Sequence, residues 1–221
     1  MERIPESEAI AEPLQAEQFN EHMKKSLVQH EYRHLAKRAA RLDLPQGAGV
    51  LDVGTGPGYI AIETAHLLRS RAHITGLDLS AAMLTIADSN AQERGLSEFI
   101  TWKEGDAKQM PFNDDTFDAV TSSGSLHHWD DPKRVFNEIA RVLKPGGAVL
   151  IRDSRRLQKR SARLFAGMIG LSIPKTFRIH YWNSIKASYT PEELSDILQS
   201  STLKNWHIEQ DVMDLMVVVG A

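Results

Sequence analysis

A chain of 221 residues with 42% hydrophobic and 25% charged residues is long for one average domain, short for two, and able to bury a sizeable core. Its net charge of −3 gives no overall attraction to nucleic acid or anionic membranes. The absence of cysteine excludes disulfides, thiolate metal sites and thiol nucleophiles. No apolar run reaches the roughly 18–20 residues of a membrane span. The opening MERIPESEAIAEPL has no apolar signal core, so the sequence predicts a cytoplasmic protein.

In chain order, Phe19, Met23, Leu27, Tyr32, Leu35 and Ala39 recur at helical intervals and predict a helix over Pro13–Leu42, ended by Pro45 and Gly47. Gly49–Val53 reads as a buried strand and Pro57–Arg71 as a helix, with Arg69 and Arg71 where the helix dipole favours cations. His73–Leu79 is a second strand. Ser80 suits the N-cap of the next helix, whose Met83, Leu84, Ala87 and Ala91 share a face, and Gly95 suits its end. Phe99–Lys103 and Phe117–Ser122 are the third and fourth strands. Asp131-Pro132 opens a helix that Lys144-Pro145-Gly146-Gly147 stops, and Ala148–Ile151 is the fifth strand. Beyond it, Arg152–Met168 predicts a basic amphipathic helix and Gly170–Ser188 an irregular aromatic stretch. Thr190–Gln199 predicts a helix with a Thr190–Glu193 capping box; His207–Asp211 and Leu215–Val219 predict two antiparallel strands.

Alternating strands and helices predict an α/β fold: an open, doubly wound, mostly parallel sheet with helices on both faces. No linker or repeat divides it. Residues 1–221 read as a single domain, with an N-terminal helical cap (1–45), a ligand-binding core (46–153), an insert (154–189) and a C-terminal helix with strands (190–221).

Ligands of such sheets sit at the carboxyl ends of the strands. There VLDVGTGPGY places Gly54, Gly56 and Gly58 between a strand and a helix, where a ligand can approach the backbone and the helix N-terminus. The dinucleotide fingerprint wants a glycine where Tyr59 stands, and a P-loop wants a Gly-Lys pair that is missing. A tight turn without a ligand is the plainer alternative. Asp78 ends the second strand about 20 residues later, where a carboxylate takes ribose hydroxyls. Asp106 follows the third strand and can accept from an adenine amino group, beside the Ala107 N–H. Either aspartate alone could be a turn or cap residue; their joint placement after successive strands favours a nucleoside.

LDVGTGPGY, LDLS, EGDAKQMPF, FDAVTSSGSLHH and the helix ending in RVLKPGG resemble the class I methyltransferases that use S-adenosylmethionine, specifically the small "type 11" group, over about Gly49–Ile151. The resemblance implies a Rossmann-like, seven-stranded sheet whose last strand, Leu215–Val219, is antiparallel. It implies S-adenosylmethionine as cofactor, with S-adenosylhomocysteine as its product; the residues themselves show no metal-ligand cluster, and no metal is expected. Gly54, Thr55, Gly56 and Gly58 would then line the methionine and ribose part. Asp78 would hold the ribose, Leu79 and Met83 would flank the adenine, and Asp106 with Ala107 would take its edge. Asp52 would support the loop and reach the methionine amine through water, with Ser122 and Ser123 near the methionine moiety.

A methyl acceptor must be held in line and, if it carries O–H or N–H, lose a proton. His127 or His128, in SGSLHHW after the fourth strand, could serve as general base or orienting group; loop packing is the alternative. Asp130-Asp131 reads as a helix cap rather than as metal ligands. The clamp motif for planar amines is absent after this strand, against adenine-N6 or glutamine-amide methylation. The lack of cysteine argues against the arsenite-methylating branch, which the resemblance ties to thiols. Tyr32, Trp129, Tyr181, Trp182 and Tyr189 could line an acceptor pocket or simply pack the core. Arg152, Arg156, Lys159, Arg160 and Arg163 form either a solvated face or a contact for an anionic substrate, nucleic acid or lipid. The expectation is methyl transfer to a small molecule, with a homodimer left open. The alternatives are an RNA or protein methyltransferase using the basic stretch 152–163, against which stands the lack of a nucleic-acid-binding domain, and a non-catalytic cofactor-binding protein.

Overall fold

The computed structural model describes residues 2–6, 12–25 and 28–220. Its strands are β1 Ala48–Val53, β2 Ala72–Asp78, β3 Ile100–Glu104, β4 Phe117–Ser123, β5 Leu143–Ser154, β6 Trp206–Gln210 and β7 Asp214–Val219. They form one seven-stranded sheet in the order β3-β2-β1-β4-β5-β7-β6. Neighbours from β3 through β5 are parallel, and β7 runs antiparallel to both β5 and β6. This is the doubly wound, Rossmann-like sheet the sequence predicts.

The helices are α1 Pro13–Lys24, α2 Val28–Ala40, α3 Tyr59–Leu68, α4 Ala81–Glu93, α5 Pro132–Val142, α6 Arg160–Ser172, α7 Lys175–Ala187 and α8 Pro191–Gln199. Strand periodicity divides the core between the two faces of the sheet. On β1, Val50 joins Ile74, Ala119 and Leu150 beneath α2, α3 and α4. Its neighbour Leu51 joins Val120, Val149 and Val217 beneath α5 and α8. Because both faces are covered, β1 is buried at five of its six residues rather than alternating. Phe136 on α5 is wholly buried, so truncating it to alanine would cost about 3–5 kcal/mol.

The caps read from sequence are formed. Ser80 Oγ accepts from the Met83 N–H at 3.2 Å, and the Asp131 carboxylate accepts from the Arg134 N–H at 3.1 Å. Thr190 and Glu193 make the reciprocal capping box at α8. Glu193 also takes the Arg156 guanidinium, which is 4% exposed, tying the start of the insert to α8.

Four sequence expectations are corrected. The N-terminal cap is two helices rather than one; Leu27 lies outside the described residues, as do Met1 and 7–11 of the opening stretch. The basic helix does not begin at Arg152. That residue continues β5, where it pairs with Met216 of β7, and residues 155–159 are irregular before α6. A long-range strand partner thus overrides local helical spacing, and the cations from Arg152 to Arg163 form no single helical face. Finally, most of Gly170–Ser188 is helical, as the end of α6 and all of α7. The helix expected over Pro57–Arg71 is shorter, starting at Tyr59 and ending in a 3₁₀ turn over Arg69–Arg71. Among the described residues, no helix is long and apolar enough to cross a membrane.

Candidate active site

The chain leaves β1 toward β2 on one side, while β4 pairs on the other, so the switch crevice opens between the ends of β1 and β4. Two loops meet there. Ser122 Oγ donates to the Val53 carbonyl at 2.7 Å and lies 2.6 Å from Ser125 Oγ, binding the end of β4 to the end of β1. A Cβ on Gly54 would meet the Ser125 Cβ at 2.6 Å. The histidine-bearing 3₁₀ turn Leu126–His128 therefore starts directly against the glycine loop.

The three glycines differ in what they require. All have positive φ. Gly54 is confined by Ser125, and Gly58 by Trp102, 2.7 Å from its notional Cβ. Gly56 has nothing within 4 Å of its notional Cβ among the described residues, as a backbone that receives a ligand should. Its N–H donates to Asp78 Oδ2 at 2.7 Å, and the Ser80 N–H donates to Oδ1 at 2.9 Å. Burial raises the Asp78 carboxyl above its ordinary range, partly offset by these N–H donors. A carboxylate offers about four lone-pair sites, so acceptor capacity remains for a ribose hydroxyl.

Asp52 is buried and accepts from Thr55 Oγ1 at 2.6 Å and Thr121 Oγ1 at 2.9 Å. Burial lifts it to about 6 despite these bonds. Leu79 stands 45% exposed beside Asp78, an apolar surface suited to a nucleobase, whereas Met83 is buried. Asp106 is half-buried, with one oxygen accepting from the Lys108 N–H at 2.8 Å, and Ala107 packs against the core. Ser122 is fully buried and its hydroxyl is engaged in holding the strands; Ser123 beside it is half-buried. Open backbone at Gly56, paired carboxylates and an exposed apolar residue at the rim fit an adenosyl group.

Across the crevice, His127 is 5% exposed. Its Nδ1 lies 2.7 Å from Asp153 Oδ1, while its backbone N–H donates to Asp153 Oδ2 at 2.7 Å. Burial pushes the imidazole down, but the Asp153 carboxylate and its hydrogen bond, with Glu6, raise it overall above its ordinary value. His127 in turn holds Asp153 below the usual carboxylate range against the effect of burial. Nε2 has no hydrogen-bond partner among the described residues and faces Glu6 Oε2 at 3.9 Å. His128 lies beside it, ring centroids 4.1 Å apart.

Asp153, Glu6 and Arg3 escape the sequence reading. Arg3 donates to the His127 and Ala187 carbonyls and lies 4.2 Å over the Tyr189 ring, strapping the N-terminal segment across this corner. Glu6, His127 and His128 each offer one donor atom within 4.8 Å of one another, but the Arg3 charge opposes a cation there. Of the aromatic candidates, Tyr32 lies close enough to Asp52 and Asp153 for both charges to act on it and stacks on Tyr59. Trp129 and Tyr189 are buried in the core, where the Tyr189 hydroxyl donates to the Trp129 carbonyl at 3.5 Å. Tyr181 and Trp182 instead pack a small separate cluster with Leu157, Ala166 and Ile185. Arg152 pairs with Asp214 and Glu31, which neutralises the start of the basic stretch.

A glycine loop flanked by carboxylates at the ends of β2 and β3, on this strand order, is the arrangement expected of an S-adenosylmethionine-dependent methyltransferase. A family model described as a methyltransferase domain matches residues 51–151. The demethylmenaquinone methyltransferase of Bacillus licheniformis is 33% identical over 174 residues, covering 74% of this chain and 74% of that protein. The 2-phytyl-1,4-naphtoquinone methyltransferase of Synechococcus elongatus is 37% identical over 110 residues, half of this chain (50%) and under half of that protein (47%). A Methanococcus maripaludis structure assigned to the S-adenosyl-L-methionine-dependent methyltransferases superposes with a TM-score of 0.75 at 25% identity, covering 98% of this chain and 96% of that one. The chain belongs to the class I methyltransferases and is an S-adenosylmethionine-dependent enzyme.

Proposed function

We propose that this enzyme methylates a small-molecule acceptor by in-line transfer, and that the acceptor is a quinol-like ring with an ionisable hydroxyl. The observation that carries this reading is the buried His127–Asp153 pair, with Nε2 left without a hydrogen bond among the described residues, two residues after Ser125, which packs against Gly54. The names of the two quinone-methylating relatives support the acceptor class.

Bound S-adenosylmethionine supplies an electrophilic methyl group on a sulfonium. Asp78, the Gly56 backbone and Asp106 would hold its nucleoside, and Asp52 would attract its ammonium. Asp153 accepts from Nδ1–H and so fixes the tautomer in which Nε2 is the basic atom. Neutral His127 would take the acceptor's hydroxyl proton, and the electron-rich ring carbon of the phenolate would take the methyl group as its bond to sulfur breaks, S-adenosylhomocysteine leaving and the ring carbon's own proton passing to solvent as the ring regains aromaticity. Tyr32 closes the crevice from α2 against water. Because the imidazole is raised, it is protonated at low pH, and turnover rises as pH passes through its titration.

The test pairs calorimetry with turnover. S-adenosylhomocysteine should bind and NAD should not. His127→Gln should keep cofactor affinity within about twofold while methyl transfer to a reduced demethylated naphthoquinone falls about a hundredfold. Unchanged turnover removes the base from the mechanism; failure to bind S-adenosylhomocysteine overturns the site itself.

A further inference from the structure

From Ser154 to Pro191 the chain contains no aspartate or glutamate, although its overall charge is negative at −3. This acid-free segment carries α6 and α7. On α6, Arg160, Leu164, Met168 and Leu171 follow helical spacing along one face, while Ala166 and Gly170 face the protein. Leu164 is 72% exposed, Met168 58% and Leu171 74%, with Phe165 at 43% on the flank. On α7, Lys175, Ile179, Asn183 and Lys186 share a face, and Ile179 is 63% exposed. These five make up half of the ten large apolar side chains exposed among the described residues.

Six of the segment's eight cations fall into two groups. Arg156 and Arg178 serve the fold: the first pairs with Glu193, and the second donates to the Leu171 and Ile173 carbonyls at the end of α6. Lys159, Arg160, Arg163 and Lys175 are exposed and meet no carboxylate within ion-pair distance among the described residues. Exposed leucines bordered by unpaired cations are the pattern of a helix lying in a lipid interface, where apolar side chains enter the acyl boundary and cations meet acidic headgroups.

We infer that the α6–α7 hairpin is a docking surface for an anionic lipid bilayer. Charge selects this occupant. A second copy would bring like-charged faces together, and a nucleic acid would leave the leucine stripe in water. The C-terminal end of α7 abuts the His127 turn through Arg3, which donates to both the Ala187 and His127 carbonyls. A docked hairpin therefore sets the acceptor side of the crevice near the bilayer. The inference stands on this surface alone and is independent of the acceptor proposed above.

Flotation of the full chain with phosphatidylcholine vesicles, with and without phosphatidylglycerol, tests it. Partitioning should require the anionic lipid and fall as salt is raised. Arg163→Gln should lower it about fivefold and Leu171→Ser about tenfold. S-adenosylhomocysteine affinity and melting temperature, measured on the same samples, should stay at wild-type values. Equal partitioning with neutral vesicles, or wild-type partitioning of both variants, overturns the inference. So does light scattering that shows a dimer which Leu171→Ser dissociates, or salt-sensitive binding to duplex RNA without vesicle binding.

Discussion

Beside the glycine loop one ring fills the space next to two glycines: Trp102 lies 2.7 Å from a notional Cβ on Gly58 and 2.5 Å from one on Gly76. On the α6–α7 hairpin, Leu164 and Leu171 leave 72% and 74% of their surface uncovered. The first region sits over two continuous cores that grip the sheet from both faces, and the second over a cluster whose fully buried members are Leu157, Ala166 and Ile185. Around the loop, residue choices answer to neighbours within the chain; on the hairpin they answer to something outside it.

The sharpest way to separate the two is chemical. Asp153→Asn leaves both packing arrangements in place but removes the charge that favours the His127 imidazolium and fixes its tautomer. Turnover should fall about a thousandfold, and the acid limb of its pH profile should move to lower pH, because burial alone lowers an imidazole. A limb that stays put under Asp153→Asn would detach His127 from the reaction. Next in size, Gly58→Ala forces a Cβ into the Trp102 ring at positive φ and should cost about 3 kcal/mol in urea unfolding. Gly56→Ala meets open space and should cost about 1 kcal/mol, its main effect appearing in S-adenosylhomocysteine affinity. Equal stability losses would mean that the two glycines are not distinguished as the geometry requires.

A smaller effect comes from Asp52. Its folded carboxyl titrates near 6, above the unfolded value, so the apo protein loses stability as pH rises through the window from about 4 to 6. The cofactor's ammonium favours the ionised form. S-adenosylhomocysteine affinity should therefore rise with pH up to about 6, by at most about tenfold per unit, and level off above. Asp52→Asn should flatten that profile in calorimetry. Smallest of all, Leu164→Ser on the hairpin should change unfolding free energy by less than about 0.5 kcal/mol. A larger loss would show that the hairpin is packed like the loop.

The loop, Asp78 and Asp106 were legible because each belongs to a local strand–turn unit whose chemistry lies within a few residues. Asp153 was not. It lies in a run of charges, RDSRRLQKR, with plausible helical spacing, and only its pairing with Leu215 across β5 and β7 makes it a strand residue that faces His127. Glu6 and Arg3 come from the far N-terminal end, and no spacing rule connects them to the turn. The α7 helix was recoverable: Phe177, Tyr181 and Ile185 recur every four residues after Pro174, but their weak intrinsic helix propensity masked the period. The break between α1 and α2 has no glycine or proline to mark it.

The two outer strands of the sheet bear on assembly. β3 ends in exposed Lys103 and Glu104, and β6 carries exposed His207, Glu209 and Gln210, with Arg38 of α2 clasping Glu209. Charged side chains on both margins deny a neighbouring strand a flat, apolar template. Both margins therefore disfavour lengthening of the sheet by a second copy.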